Sequence, residues 1–164
     1  MIYLEKNILK ILEAARWAPS CGNSQPWHFI VVKDKSRISE LVKATYFAHF
    51  PFINPLPPLI IAFVLNNTCA ENEHVCTDVA GRNCTDAQLC LSMSVMNAIL
   101  EAEDLGIQSA ILTPRKKSIQ KILKVRNGKE IPLIVGIGYE KKESFTKKRV
   151  RKKNYANLYM RIKN

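Results

Sequence analysis

Nine residues near the amino terminus read Pro19-Ser20-Cys21-Gly22-Asn23-Ser24-Gln25-Pro26-Trp27. Four polar side chains, those of Ser20, Asn23, Ser24 and Gln25, surround Gly22, and a proline at each end restricts the loop. Asn and Gln each carry paired donors and an acceptor. The segment therefore offers the mixed edge that a heterocycle with carbonyls and ring nitrogens, or a polyol, requires. The alternative is a helix-to-strand turn whose side chains satisfy one another.

The composition predicts one globular domain spanning residues 1–164. The chain is 47% hydrophobic, which supplies enough apolar residues for one core. Charged residues make up 24%, a proportion typical of a folded protein and not of a disordered one. Its net charge of +11 favours anionic partners such as phosphate-bearing cofactors, nucleic acid or acidic membranes, or else reflects a solvated surface. Much of this charge lies in residues 141–163, and a second cluster occupies residues 115–117.

The amino-terminal residues show no signal-peptide pattern, and the longest apolar run, residues 59–65, falls far short of the ~20 residues that span a bilayer. We therefore expect a cytoplasmic protein with reduced cysteines and no membrane partner. Four of the cysteines, Cys69, Cys76, Cys84 and Cys90, are irregularly spaced and contain no Cys-x-x-Cys pair, so we expect no metal site.

Hydrophobic periodicity predicts helices and strands in alternation. Helices are expected at about residues 4–17, after an Asp34 cap, at 86–105 behind a Thr85 cap, and from Thr113-Pro114 onward. Strands are expected at about residues 27–33, 59–65, 107–112 and 132–139. This order indicates an α/β or α+β sandwich with one central sheet.

Several apolar sets define the expected faces of these elements. The continuous apolar run at residues 59–65 predicts a strand buried on both faces. Helical spacing groups the apolar residues of each helix as follows: Ile8, Leu9, Ile11, Leu12, Ala15 and Ala18 in the first; Ile38, Leu41, Val42 and Tyr46 in the second; Leu89, Met93, Met96, Leu100 and Ala102 in the third; and Ile119, Ile122, Leu123 and Val125, facing inward, in the fourth.

Four stretches in order along the chain resemble the FMN-dependent nitroreductase family. Residues 14–29, which contain the polar loop, resemble the signature of that family. Residues 102–111 resemble its second landmark, where a long helix ends in Leu-Gly and runs into a strand beside the flavin. Residues 133–139 resemble its last core strand, and the basic tail resembles its closing stretch.

The resemblance implies an α+β sandwich with a mixed, mainly antiparallel sheet flanked by helices. It also implies an intertwined homodimer with two FMN sites at its interface and with the tail, residues 141–164, docked on the partner. The residues that the resemblance places around FMN fall into three groups: Pro19, Ser20, Cys21 and Asn23 lining the flavin, with Gln25 in the same loop; Gln108 and Ser109 near its redox-active edge; and Arg149 and Arg151 on its phosphate. Ser20 and Cys21 are expected to use mainly backbone contacts.

One feature departs from the family pattern. An Arg-rich motif about two dozen residues before the proline-serine loop usually clamps the phosphate, and residues 1–18 do not contain it. Three explanations stand: the true start lies upstream, the carboxyl-terminal basic residues substitute, or flavin binding is weak.

The resemblance implies an enzyme that uses NAD(P)H to reduce a nitroaromatic, a quinone or a related conjugated small-molecule acceptor by ping-pong transfer. The flavin carries this chemistry, so no side chain is expected to be catalytic. Two alternatives are a non-catalytic flavin-binding protein and a nucleic-acid-binding protein that uses residues 147–153. The chain has no recognisable recognition helix or RNA motif, which disfavours the nucleic-acid reading.

Overall fold

A four-stranded antiparallel sheet organises the chain. In the computed structural model, which describes residues 2–46, 56–66, 85–126 and 128–139, the strands are β1 (Trp27–Val32), β2 (Leu59–Asn66), β3 (Gln108–Leu112) and β4 (Lys129–Gly138). They lie in the order β1-β2-β4-β3, and each adjacent pair is antiparallel. β1 and β3 are therefore the two edge strands of the described sheet.

In the described parts of the chain, four α-helices cover the two faces of this sheet. They are α1 (Ile2–Arg16), α2 (Lys35–Lys43), α3 (Thr85–Asp104) and α4 (Lys116–Leu123). One hydrophobic core joins α1 and α3 to one face, and a second core joins α2 and α4 to the other. The α+β sandwich expected from the sequence is confirmed.

β2 belongs to both cores. Its first seven residues are all buried, and alternate side chains point to opposite faces of the sheet. Ile61 and Phe63 pack in the core of α1 and α3, whereas Ile60 and Ala62 pack in the core of α2 and α4. The prediction of a strand buried on both faces is confirmed.

The helix boundaries agree with the sequence except where local chemistry intervenes. Asp34 caps α2 as predicted, since its Oδ1 accepts a hydrogen bond of 2.8 Å from the Arg37 amide. α4 begins at Lys116 rather than at Thr113-Pro114, because Pro114 instead forms an isolated bridge with Thr45. The inward face of α4 is confirmed, with Ile119 fully buried and its apolar neighbours partly buried.

Two side chains that helical spacing grouped with buried residues are exposed instead. Tyr46 follows the end of α2 and is 62% exposed, with the Arg115 guanidinium 5.5 Å from its ring centre. Leu9 is 67% exposed because its neighbours Ile8 and Ile11 occupy the core side of α1. The periodicity had assigned both residues to the apolar faces of their helices, and for both this was wrong.

β4 extends through a proline that the sequence placed at its start. The strand begins at Lys129, so Pro132 lies inside it. Proline has no amide proton for the ladder, and it is tolerated in sheets at edges and bulges. The pairing of β2 with β4 shifts register between Phe63 and Leu65, opposite this segment, and β3 pairs only from Ile134 onward. The irregularity accommodates the proline, which is why the observed strand is longer than the predicted one.

Two glycines of β4, Gly136 and Gly138, leave room for Pro57 and Pro58 to pack against the sheet. A Cβ on Gly136 would lie 3.1 Å from Pro57 Cγ, and a Cβ on Gly138 would lie 2.9 Å from Pro58 Cδ. The prolines precede β2 directly, so this contact fixes how the chain enters the central strand.

We expect Gly138→Ala to lower the free energy of unfolding by about 1–3 kcal/mol, because the added methyl group meets a rigid ring. Gly136→Ala should cost less, since its contact is longer. Denaturant unfolding measures both. Adding Pro58→Ala to Gly138→Ala should restore much of the loss, and a Gly138→Ala chain as stable as the wild type would contradict the contact.

Candidate functional site

The polar loop is a single 3-10 turn with an unusual backbone. The turn spans Cys21–Asn23, with the Asn23 amide donating to the Ser20 carbonyl and the Ser24 amide to the Cys21 carbonyl, both at 3.0 Å. Gly22 has φ 55°, and two residues with side chains, Asn23 and Gln25, have φ 56° and 44°. The left-handed region is disfavoured for residues other than glycine.

Side-chain hydrogen bonds hold this conformation. The Gln25 backbone amide donates to Ser20 Oγ at 3.0 Å, and the side-chain nitrogen Nε2 of Gln25 donates to Asn23 Oδ1 at 2.8 Å. These contacts agree with the interpretation of the loop as a turn whose side chains bond one another. They do not satisfy every polar group of those side chains. The Ser20 hydroxyl proton, the Asn23 amide protons and the Gln25 side-chain oxygen keep hydrogen-bonding capacity.

Cys21 to Gln25 are all exposed, so this capacity faces outward. Strained left-handed residues cost on the order of 1–3 kcal/mol each and persist where the surroundings determine them, often at ligand sites. An exposed loop that combines two such residues with polar groups that can still form hydrogen bonds has the character of a binding surface.

The loop rests on α3. The Cys21 amide donates to Cys90 Sγ at 3.3 Å, across 69 residues of sequence. Two further bonds tie α3 to the end of α1, which leads into the loop: Ser94 Oγ donates to the Ala15 carbonyl at 2.8 Å, and Asn97 Nδ2 donates to the Ala14 carbonyl at 3.2 Å. Since Ser94 is fully buried, these contacts fix where α1 ends and where the loop begins.

A surface cluster lies beside the loop at the end of α1. Glu13 accepts from Arg16 Nε at 3.0 Å and from Trp17 Nε1 at 2.7 Å. These two hydrogen bonds, the one from Arg16 first, hold the pKa of Glu13 below its ordinary value. Trp17 is 75% exposed and its ring is held in place, so it presents an ordered apolar surface next to the loop.

The second group of predicted residues lies at the other end of the molecule. Gln108 is exposed and Ser109 is half-buried at the start of edge strand β3, directly after α3. α3 rises about 1.5 Å per residue, so Cys90, under the loop, and Asp104, near Gln108, lie about 21 Å apart along its axis. A single chain therefore does not bring the loop and Gln108 together.

The third predicted group, Arg149 and Arg151, lies outside the described residues, as does the rest of the tail. Pro19, Ser20, Cys21, Asn23 and Gln25 do form one surface. Within the described ranges no cluster of His, Cys, Asp and Glu has the arrangement of a metal site.

An exposed apolar stripe runs along α3. Its members are Leu89, Met93, Met96 and Leu100, with exposed fractions of 57%, 39%, 53% and 58%. Their spacing of four, three and four residues is that of a helix–helix seam. The sequence grouped them with Ala102, which is fully buried, whereas the core face of the helix consists of Ala87, Cys90, Leu91, Val95, Ala98 and Ala102.

Two structural features of α3 could not be assigned from the sequence. Cys90 was one irregularly spaced thiol among several, and no local signal indicates that it supports a loop 69 residues away. The apolar stripe did have a signal in its spacing, but the same α3 carries a second apolar face, and periodicity alone does not say which face meets the sheet.

None of the helices in the described ranges combines the length and hydrophobicity that a bilayer crossing demands.

Comparison with known proteins gives consistent results. The model of the nitroreductase family matches residues 5–50, which contain the whole loop. A protein of Archaeoglobus fulgidus, provisionally named NADH dehydrogenase/NAD(P)H nitroreductase, is 33% identical over 146 residues, covering 85% of this chain and 75% of that protein.

Solved structures share the fold. A nitroreductase family protein of Clostridium difficile 630 superposes with a TM-score of 0.73 at 24% identity, covering 98% of this chain and 87% of that one. An FMN-dependent nitroreductase of Clostridium difficile R20291 gives 0.67 at 24% identity, covering 92% and 88%. The polar loop seated on α3, the four-stranded sandwich and the sequence match together show that this chain belongs to the nitroreductase family.

Proposed function

We propose that the protein is an FMN-dependent oxidoreductase that uses NAD(P)H to reduce a conjugated small molecule such as a nitroaromatic or a quinone. The observation that carries this proposal is the strained, exposed polar loop of residues 19–25 in a chain of the nitroreductase family. A relative is named for NAD(P)H, and a protein of the same fold is named as FMN-dependent.

The loop fits the ring and the polyol chain of FMN. Its remaining donors include the Ser20 hydroxyl and the Asn23 side-chain amide, and its remaining acceptors include the Gln25 side-chain oxygen, which matches a ligand edge of alternating carbonyls, ring nitrogens and hydroxyls. The Cys21 backbone also helps to hold the loop in place, since its amide donates to Cys90 Sγ and its carbonyl accepts from the Ser24 amide.

The site is proposed to form between two copies of the chain. The exposed stripe on α3 is the surface for a two-fold contact, since contiguous exposed apolar patches mark interfaces and methionine is enriched in them. A two-fold axis across the middle of the stripe sets the two α3 helices antiparallel. The loop of one protomer, at the Cys90 end, then lies beside the Gln108 end of the other, which removes the separation of about 21 Å.

The resulting division of roles is as follows. Residues 19–25 of one protomer hold the flavin ring and its side chain, and Gln108 and Ser109 of the partner subunit lie at the redox-active edge. Arg149 and Arg151 hold the phosphate as cations. Residues 1–164 form one domain, with the tail at 141–164 docked on the partner.

When bound, FMN supplies the hydride chemistry, and the protein supplies position and polarity. The loop orients the ring, because the bonds from Gln25 to Ser20 and Asn23 fix the direction of their remaining polar groups. No described side chain is assigned a proton-transfer step. NAD(P)H and the acceptor use the same pocket in turn.

The visible spectrum of the purified protein tests this function directly. We expect added FMN to bind, its absorbance to bleach with NAD(P)H, and a quinone to restore it. Steady-state double-reciprocal plots should be parallel, as ping-pong transfer requires. Bound flavin without NAD(P)H oxidation would identify a non-catalytic flavin protein, and a chain that binds no FMN would refute the proposal.

Ser20→Ala should raise the Kd for FMN about tenfold, because it removes the acceptor that holds the Gln25 amide along with a polar group of the site. Fluorescence titration with FMN measures the effect. Ser118→Ala is the matched control, since Ser118 is an exposed serine of α4 on the other face of the sheet. Equal affinities for the two variants would remove Ser20 from the site.

Met96→Glu should shift the protein from dimer to monomer and abolish FMN binding with it, because a buried unpaired carboxylate is costly in an apolar seam. Light scattering reports the mass, and circular dichroism reports the fold. Ser118→Glu should leave the dimer intact. A folded Met96→Glu dimer would place the interface elsewhere.

A further inference from the structure

We propose that Cys21 and Cys90 form a thiol pair that a hydroperoxide oxidises to a disulfide, which locks the loop of residues 19–25 onto α3. Neither residue is in a disulfide here, Cys21 is exposed and Cys90 is 3% exposed. The two cysteines meet at the hydrogen bond of 3.3 Å from the Cys21 amide to Cys90 Sγ.

The distance permits a covalent bond. The amide nitrogen is about 1.46 Å from its own Cα, so Cys90 Sγ lies no more than about 4.8 Å from the Cys21 Cα. Of the three staggered χ1 rotamers of a cysteine, two turn the sulfur toward its own amide nitrogen. For Cys21 these rotamers bring its sulfur to the side on which Cys90 lies. Disulfides span Cα atoms about 4.4–6.8 Å apart, which this approach can satisfy with a local adjustment.

The two thiols differ in exposure, and this difference decides which one reacts with the oxidant first. The thiolate is the nucleophile, and oxidation follows exposure, so the exposed Cys21 meets the oxidant first. Its sulfur attacks one peroxide oxygen, the O–O bond breaks, and the products are a sulfenic acid and hydroxide, or an alkoxide from an organic hydroperoxide.

The buried Cys90 completes the reaction. Its sulfur attacks the Cys21 sulfur, an S–S bond forms and the S–O bond breaks, and the leaving hydroxide takes the Cys90 proton as water. In sum, two thiols lose two electrons and two protons, and one hydroperoxide is reduced. Burial of Cys90 keeps it from direct attack and places it beside the only sulfur that it needs to reach.

The bond would change the loop. In the reduced protein the Cys90 sulfur accepts a hydrogen bond from the Cys21 backbone amide, and the turn that follows Cys21 has left-handed residues held by hydrogen bonds. Drawing the Cys21 side chain toward α3 moves this turn off its hydrogen-bonded geometry. The consequence for FMN rests on the proposed function: the oxidised loop binds FMN more weakly, so the disulfide would act as a reversible brake.

Peptide mapping of the wild-type chain without reductant tests the thiol pair. We expect hydrogen peroxide to produce a peptide that joins Cys21 to Cys90 within one chain, with a mass lower by two hydrogen atoms, and dithiothreitol to reverse it. The Cys90→Ala variant should instead yield a Cys21 sulfenic acid that dimedone traps. The chain has five cysteines, so a peptide joining Cys21 to a different cysteine, or unchanged thiols in the folded protein, would overturn the pairing.

FMN titration of the reduced and oxidised protein tests the consequence separately. We expect oxidation to raise the Kd for FMN at least about tenfold, a change of about 1.4 kcal/mol, and the Cys90→Ala variant to escape this effect. Equal FMN affinities in the presence of the disulfide would overturn the brake. A reduced protein that binds no FMN would refute the proposed function, and the peptide map would still decide the disulfide.

Discussion

The double burial of β2 is the constraint on which the rest of the structure depends. Because successive side chains of a strand point to opposite faces, one apolar run supplies both cores of the sandwich. Full burial of each large side chain contributes about 1.5–3 kcal/mol, so Ile60, Ile61 and Phe63 stabilise both layers at once. The strand is hydrogen-bonded on both edges, by β1 and by β4, so neither helical layer can form without it.

β2 positions α3, and α3 in turn positions the loop of residues 19–25. α3 packs on the face that carries Ile61 and Phe63, and its polar residues Ser94 and Asn97 hold the carbonyl groups at the end of α1. The strained turn that follows α1 is thus anchored to the core through α3. This attachment explains how two residues keep left-handed conformations on an exposed surface.

α3 connects the candidate site to assembly. One face of the helix carries the small buried residues that let it approach the sheet, and the other carries the exposed stripe of Leu89, Met93, Met96 and Leu100. The two parts of the proposed FMN site lie at opposite ends of this same helix. A helix that must pair with a copy of itself to complete a site at each end would couple cofactor binding to dimer formation, and the thiol pair under the loop would add control by oxidants.

The sequence by itself determined the order of elements, the doubly buried strand, the Asp34 cap and the family. Each of these is written in local chemistry: a run of apolar residues, a side chain that accepts from an amide three residues on, and a loop motif. Gly22 and its polar neighbours indicated a loop or turn, but the left-handed conformations of Gly22, Asn23 and Gln25 came only from the structure.

Only the tertiary structure decided which face of α3 meets the sheet, because both faces carry apolar residues at helical spacing and packing against the sheet buried the face that holds Ala87, Leu91 and Ala98. It also let β4 run through Pro132, where the register between β4 and β2 shifts and the missing amide proton is not needed for the ladder. Finally, it placed Cys90 under the loop and Gln108 beyond the opposite end of α3, a helix in which Cys90 and Asp104 lie about 21 Å apart along the axis. These relations join residues far apart in the chain, and local pattern carries no information about such distances.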